Sequence, residues 1–248
     1  MLYNITIGLL IPFLGTAFGS LCVIFIKNRI STNIISFLNG SAAGIMVAAS
    51  VWSLIIPSVE QSQNLGRFAF LPAVIGFLCG MAFLLFIEKI NFSNLKLNNN
   101  SIMIFAVTLH NIPEGMAVGV VYASLLSANC NTALTAALAL SLGIGIQNIP
   151  EGAIISMPLK AQGTSTLKSI SAGILSGIVE PIAGVITLLL SFLIIPALPY
   201  FLSFAAGAMV FVAVNELIPE MKKADNSVGI ISFSVGFSLM MLLDIALG

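Results

Sequence analysis

The chain has 248 residues, of which 58% are hydrophobic and 7% charged, with nine basic residues balancing nine acidic ones. Soluble domains carry about 25% charged residues, so a soluble fold is excluded, and a neutral chain offers no basic face for nucleic acid. The mean hydropathy is +1.11, and the period-two alternation of a membrane β-barrel is missing, so the expected class is an all-α polytopic membrane protein.

Taken in order, apolar runs fall at about 5–26, 34–56, 69–88, 102–126, 132–158, 168–192, 199–219 and 228–247. Each is close to the roughly 20 residues that cross a bilayer as a helix. Eight transmembrane helices are therefore expected, with short loops, and 1–248 reads as a single transmembrane domain. The first run lacks a basic flank and a cleavage site, which predicts a retained span and not a signal peptide. Cys22, Cys79 and Cys130 are far apart with no CxxC pair, so they are expected to be packing residues.

Orientation follows from the basic residues. With the N-terminus outside, the cytoplasmic loops hold Lys27, Arg29, Lys89, Lys96, Lys160, Lys168, Lys222 and Lys223, and the outer side holds Arg67 alone. Cytoplasmic loops favour Lys and Arg, so both termini are expected outside, in a prokaryotic inner membrane. Asp244 and Glu88 lie near the ends of their runs and are expected to be solvated.

Two internal echoes stand out. Ala42-Ala43-Gly44-Ile45-Met46-Val47 in span 2 matches Ala205-Ala206-Gly207-Ala208-Met209-Val210 in span 7, and each is followed by a Leu-Ile-Pro-like exit ending at Pro57 or Pro219. Spans 1 and 6 share a GxxxG, at Gly15/Gly19 and Gly173/Gly177. These echoes predict an inverted repeat of helices 1–3 and 6–8 around a central 4–5 hairpin. Secondary transporters are commonly built this way, with the substrate site near the midplane. Further GxxxG pairs at Gly40/Gly44, Gly76/Gly80 and Gly115/Gly119 fit close helix approach.

The central hairpin carries the chemistry. His110-Asn111-Ile112-Pro113-Glu114-Gly115 in span 4 is repeated as Gln147-Asn148-Ile149-Pro150-Glu151-Gly152 in span 5. A carboxylate at that depth costs about 2.5–3.5 kcal/mol on insertion scales, so a buried Glu marks function by default. At roughly 100° per residue, Glu114 falls between His110 and Asn111, and Glu151 between Gln147 and Asn148. Facing helices would bring the two acids together, and neither span holds a Lys or Arg inside the bilayer to neutralise them. A divalent cation resolves that conflict most simply. Pro113 and Pro150 are expected to kink the helices and free the carbonyls of Leu109 and Ile146. Glu180-Pro181 repeats the pattern in span 6 and joins the same cluster.

Mixed nitrogen and oxygen donors without thiolate suit Zn²⁺, Cd²⁺, Fe²⁺ or Mn²⁺ and do not distinguish them. A lone intramembrane histidine is more often a helix–helix hydrogen bond, but pairing with Glu114 and duplication on the next helix argue for a ligand. Glu216 and Glu220 either form an exit route or pair with Lys222 and Lys223. On spacing alone, Met46 and Ser53 read as packing. A proton or monovalent-cation carrier using the same acids is the alternative function. An intramembrane metallohydrolase needs several His or Asp ligands, and the chain has one His.

At these residues the sequence resembles the ZIP (Zrt-, Irt-like protein) family of divalent metal transporters, in its GufA-like branch. The resemblance spans the chain and includes Ala43-Gly44-Ile45-Met46 through Trp52-Ser53-Leu54. It implies a transporter and not an enzyme, with no resident cofactor, a divalent metal as substrate (zinc first), inward transport by alternating access, and commonly a homodimer. It implies a binuclear centre: His110, Glu114, Gln147 and Glu151 with Met46 beside them, and Asn111, Asn148 and Glu180 adjoining, both Glu shared. It makes Met46 and Ser53 entrance residues and implies that spans 1, 4, 5 and 6 move against spans 2, 3, 7 and 8. Where some relatives carry Asp, this chain has Asn148, which weakens the second half of the centre. The loop around Asn98-Asn99-Asn100 lacks the histidines that many relatives have there, so regulation through it is not expected.

Overall fold

The computed structural model describes residues 2–25, 31–89, 99–126, 134–190, 193, 197–222 and 227–247; the side chains of 87–88, 99–107, 109–110, 154, 158, 161 and 247 lie outside that description. The described residues are helical throughout their long elements. In chain order these are α1 (Leu2–Leu21), α2 (Thr32–Ala49), α3 (Ile56–Glu60), α4 (Phe70–Lys89), α5 (Asn99–Leu125) and α6 (Leu134–Ala161). They continue as α7 (Thr166–Gly177), α8 (Val179–Leu189), α9 (Leu198–Val212), α10 (Ile218–Met221) and α11 (Val228–Leu247).

Several of these elements join end to end. A π-helical turn, Ser50–Ile55, connects α2 to α3, and a second, Ala213–Leu217, connects α9 to α10. Each is followed within two residues by a proline, Pro57 or Pro219. Proline has no N–H and crowds the carbonyl four residues back, and a widened π turn accommodates that fault without ending the helix. Pro181 has a stronger effect, because it lies in the first turn of α8 and the chain breaks at Ile178 between α7 and α8. Pro113 and Pro150 do not interrupt α5 or α6. In span 6 the regular helix is interrupted, at Ile178.

Among the described residues six helical segments are long and apolar enough to cross a membrane: Leu2–Phe25, Thr32–Glu60, Leu134–Met157, Thr166–Leu189, Leu198–Met221 and Val228–Ala246. The apolar stretch of α4, Phe70–Phe86, is shorter. Their outer faces are apolar: Phe18, Leu78, Phe86, Leu175, Leu189, Ile231 and Leu242 are all exposed. Such faces would aggregate in water and are at ease in lipid. Several hydroxyls inside the bundle are satisfied without leaving the helix, as Ser50, Ser141 and Thr187 each donate to the carbonyl four residues earlier.

The packing sorts the helices into two groups. In one, α1 lies along α6, α5 along α8, and α7 contacts both α1 and α6. In the other, α11 lies along α2 and α9 along α4. The groups meet where α2 packs on α6 and α9 on α5. Small residues allow the close approach: a methyl group on Gly15 or Gly19 would run into the carbonyl oxygens of Gly145 or Ile149 on α6. Gly173 and Gly177 instead face the side chains of Ser20 and Thr16 on α1. The two GxxxG pairs therefore do not play matching parts, because a glycine pair marks any tight crossing and does not fix its register.

The Lys160 ammonium donates to the Val23 carbonyl at 3.2 Å, tying the end of α6 to the end of the α1 segment. Cys79 is exposed on α4 and Cys22 half-buried, so Cys79 is not core packing. Cys130, Lys27, Arg29, Lys96, Asn98 and Lys223 lie outside the described residues.

Candidate metal centre

The two hexapeptides lie on α5 and α6, and Glu180 sits in the first turn of α8, where the helix end favours negative charge. Asn111, Glu114, Gln147, Asn148, Glu151 and Glu180 are all buried, with 6% exposure at most. The Gln147 amide donates from Nε2 to Glu114 Oε1 at 2.8 Å, linking the two helices directly. Glu114 stands within electrostatic range of Glu151 and Glu180, and Asn148 is close to both Glu114 and Glu180. The structure thus brings together five of the seven residues singled out from the sequence, with Asn111 one helical turn from Glu114. The His110 side chain lies outside the described residues.

The flanking helices orient the amides. Asn111 Nδ2 donates to the Ser176 carbonyl on α7 at 3.1 Å, and Asn148 Nδ2 donates to the Pro12 carbonyl on α1 at 3.4 Å. Because the acceptors are carbonyls in both cases, and a carboxylate for Gln147, each amide must present its NH₂ group to them. Its oxygen is left over. Asn111 Oδ1, Gln147 Oε1 and Asn148 Oδ1 are buried without a donor, as are Glu114 Oε2, Glu151 Oε1 and Glu180 Oε2. Every described residue of the predicted site therefore holds one buried oxygen with no donor. Burying an unpaired polar atom costs about 1–3 kcal/mol, more when it is charged, so six together are a substantial unmet demand for a cation.

Among the described residues no three His, Cys, Asp or Glu side chains are arranged to hold an ion by themselves. Among the described residues, the amide oxygens of Asn111, Gln147 and Asn148 are the donors that stand beside these acids. That set is oxygen-rich, hard and free of thiolate.

Sequence reasoning missed Thr16. It is fully buried on α1 and donates from Oγ1 to Glu180 Oε1 at 2.7 Å. A threonine in an apolar helix raises no alarm, because its hydroxyl can always bond back to its own helix, here the Pro12 carbonyl at 3.5 Å. Its position inside the Gly15/Gly19 pair was the available signal.

The residues beyond the cluster divide. Met46, which the resemblance makes an entrance residue, is buried within the apolar core. Ser53 lies in the α2–α3 π turn and donates to Asp244 Oδ1 on α11 at 2.5 Å, while Asp244 Oδ2 is buried without a partner. Asp244 is half-buried and engaged, so the expectation that it is solvated is corrected; the Glu88 side chain lies outside the described residues. Glu216, in the second π turn, comes within electrostatic range of Glu151. Glu220 is half-buried one turn further on, and Lys222 is exposed.

A helical bundle with apolar outer faces and a buried set of acids and amides at its centre defines an integral membrane protein with an internal polar site. Comparison with known proteins narrows this. The family model described as ZIP Zinc transporter matches residues 97–244. Zinc transporter ZIP11 of Xenopus tropicalis is 32% identical, covering 98% of this chain and 96% of its own. Zinc transporter ZIPB of Bordetella bronchiseptica is 31% identical over 95% of this chain and 79% of its own. Zinc transporter GufA of Myxococcus xanthus is 31% identical over 79% and 81%. The chain belongs to the ZIP family, a family of transporters and not of enzymes.

Proposed function

We propose that this protein carries Zn²⁺ across a prokaryotic inner membrane into the cytoplasm, binding it at Glu114, Gln147, Glu151 and His110. Asn111, Asn148 and Glu180 form an adjoining second set that shares both central acids. The observation that carries the reading is the row of donor-less oxygens, one on each described site residue. With Asn148 in place of a carboxylate, the second set is the weaker of the two. Cd²⁺, Fe²⁺ and Mn²⁺ are competing substrates, because the donor set alone does not separate them. An inside-negative potential favours inward movement of a divalent ion.

The division into two helix groups supports alternating access. The cluster belongs wholly to α1, α5, α6 and α7–α8, so the proposed motion slides that group against α2–α3, α4, α9–α10 and α11. Eight membrane spans built as an inverted repeat, with both termini outside, complete the reading. Support comes from matched contacts. Asn111 meets Ser176 as Asn148 meets Pro12, and Gly115 abuts the Glu180 carbonyl as Gly152 abuts that of Thr16. In the other group Gly44 abuts Phe233 as Gly207 abuts Phe77, and Gly236 abuts Ser41 as Gly80 abuts Phe204. The same register carries Ser53 onto Glu216, so the two π turns lie at opposite mouths.

Uptake into proteoliposomes tests the site. Glu114→Gln and Glu151→Gln, which keep shape and remove charge, are each expected to abolish zinc influx. Influx at the unmodified rate in either variant overturns the assignment.

A further inference from the structure

The matched contacts place Thr16 on α1 and Glu180 on α8 in equivalent positions, and these two side chains are bonded to each other. In the two hexapeptides the acids and the asparagines are matched, Glu114 with Glu151 and Asn111 with Asn148, while His110 is matched by Gln147. At Glu180 and Thr16 one position keeps a carboxylate and its counterpart a hydroxyl. We infer that Thr16 is a positioning residue that sets which ions the centre accepts, by occupying one oxygen of Glu180. This rests on the reading of Glu180 as a ligand.

The geometry is specific. Thr16 Oγ1 donates to Glu180 Oε1 at 2.7 Å, and Oε2 is the oxygen without a donor. Both residues are buried, at 0% and 1% exposure, so water does not compete for either oxygen. A hydrogen bond to a carboxylate in such surroundings is among the stronger kinds. Gly177 packs directly against Thr16, which leaves its side chain little room to turn away. The bond draws electron density from Oε1 and fixes the plane of the carboxylate, so Oε2 is the stronger donor and symmetric two-oxygen binding is disfavoured. Zn²⁺ is satisfied by about four ligands at short range. Mn²⁺ favours about six oxygens in octahedral array, and a carboxylate biased toward one oxygen serves it less well. Thr16 thus biases the centre toward the smaller, low-coordinate ion without touching it.

The test is competition of Mn²⁺ against zinc uptake in proteoliposomes containing the full chain, with Thr16→Val, Thr16→Ala, Thr16→Ser and Glu180→Gln compared with the unmodified protein. Both hydroxyl-free variants are expected to lower the Mn²⁺ concentration for half-inhibition, relative to the zinc KM, on the order of tenfold, the scale of one charged hydrogen bond. Thr16→Ser restores the hydroxyl and is expected to keep the original ratio. If Val and Ala leave the ratio unchanged while Glu180→Gln alters it, the role of Thr16 is refuted and Glu180 stands as a ligand. If Glu180→Gln alters neither uptake nor ratio, the ligand reading of Glu180 fails, and the role of Thr16 with it. A serine variant that behaves like valine also overturns the proposal, because side-chain shape and not the hydroxyl would then be in control. Should valine fail to assemble, as judged by size-exclusion profile and melting temperature, the smaller alanine decides.

Discussion

The two helix groups are built from the same apolar residues but use polar ones differently. In α1, α5, α6 and α7–α8 the buried acids and amides gather in one place, each with an oxygen lacking a donor. In α2–α3, α4, α9–α10 and α11 the buried core is Ala, Gly, Leu and Met, and hydroxyls such as Ser50 and Ser203 are satisfied by neighbouring carbonyls. The second group's carboxylates with described side chains, Glu60, Glu216, Glu220 and Asp244, sit toward helix ends. The first group thus gathers six donor-less oxygens in one cluster, whereas the second leaves only scattered ones, such as Ser36 Oγ and Asp244 Oδ2. That contrast suits the proposed division into a carrier group and its frame.

Breaking the backbone contact in each group separates them most sharply. Gly152→Val would drive α6 off the Thr16 carbonyl and displace Asn148 and Glu151. Overpacking of this kind costs about 1–3 kcal/mol, and the variant is expected to lose zinc uptake altogether. Gly76→Ala, where α4 meets Tyr200 and Ser203 of α9, is expected to lower the melting temperature by a similar energy while zinc still stabilises the protein. Equal loss of zinc-induced stabilisation in both variants, read by thermal melting, would erase the distinction between the groups.

A smaller effect is expected at the edge of the frame. Ser53→Ala removes the donor to half-buried Asp244. Partial exposure discounts that bond, so the expected destabilisation is about 1 kcal/mol. Combining it with Asp244→Asn should add little further loss, because the two side chains act as a pair. Additive losses in a melting series would mean that the pair is not energetically linked.

The cluster was legible in the sequence because Asn, Gln and Glu inside a long apolar run are costly, and a duplicated cost at matching positions has few structural explanations. Glu180 was legible for the same reason, aided by Pro181. Other features were not. The glycine pairs of spans 1 and 6 look alike in the sequence but meet different partners, since glycine records close approach and not symmetry. Pro113 and Pro150 read as kinks in the sequence; α5 and α6 run through them as continuous helices, and the departures from regular α-helix fall at Ile178 and in the turns before Pro57 and Pro219. A proline states that one hydrogen bond is lost, and the surrounding packing decides whether the helix gives way. The tie between Ser53 and Asp244 joins residues far apart in the chain and left no local trace.

The account turns on whether the donor-less oxygens hold the transported ion. Crystals soaked in Zn²⁺ and measured at the zinc absorption edge test this most directly. The expected result is an anomalous peak among Glu114, Gln147 and Glu151, with any second, weaker peak beside Asn148 and Glu180. Anomalous density confined to the surface, with this cluster empty at saturating zinc, would contradict the account.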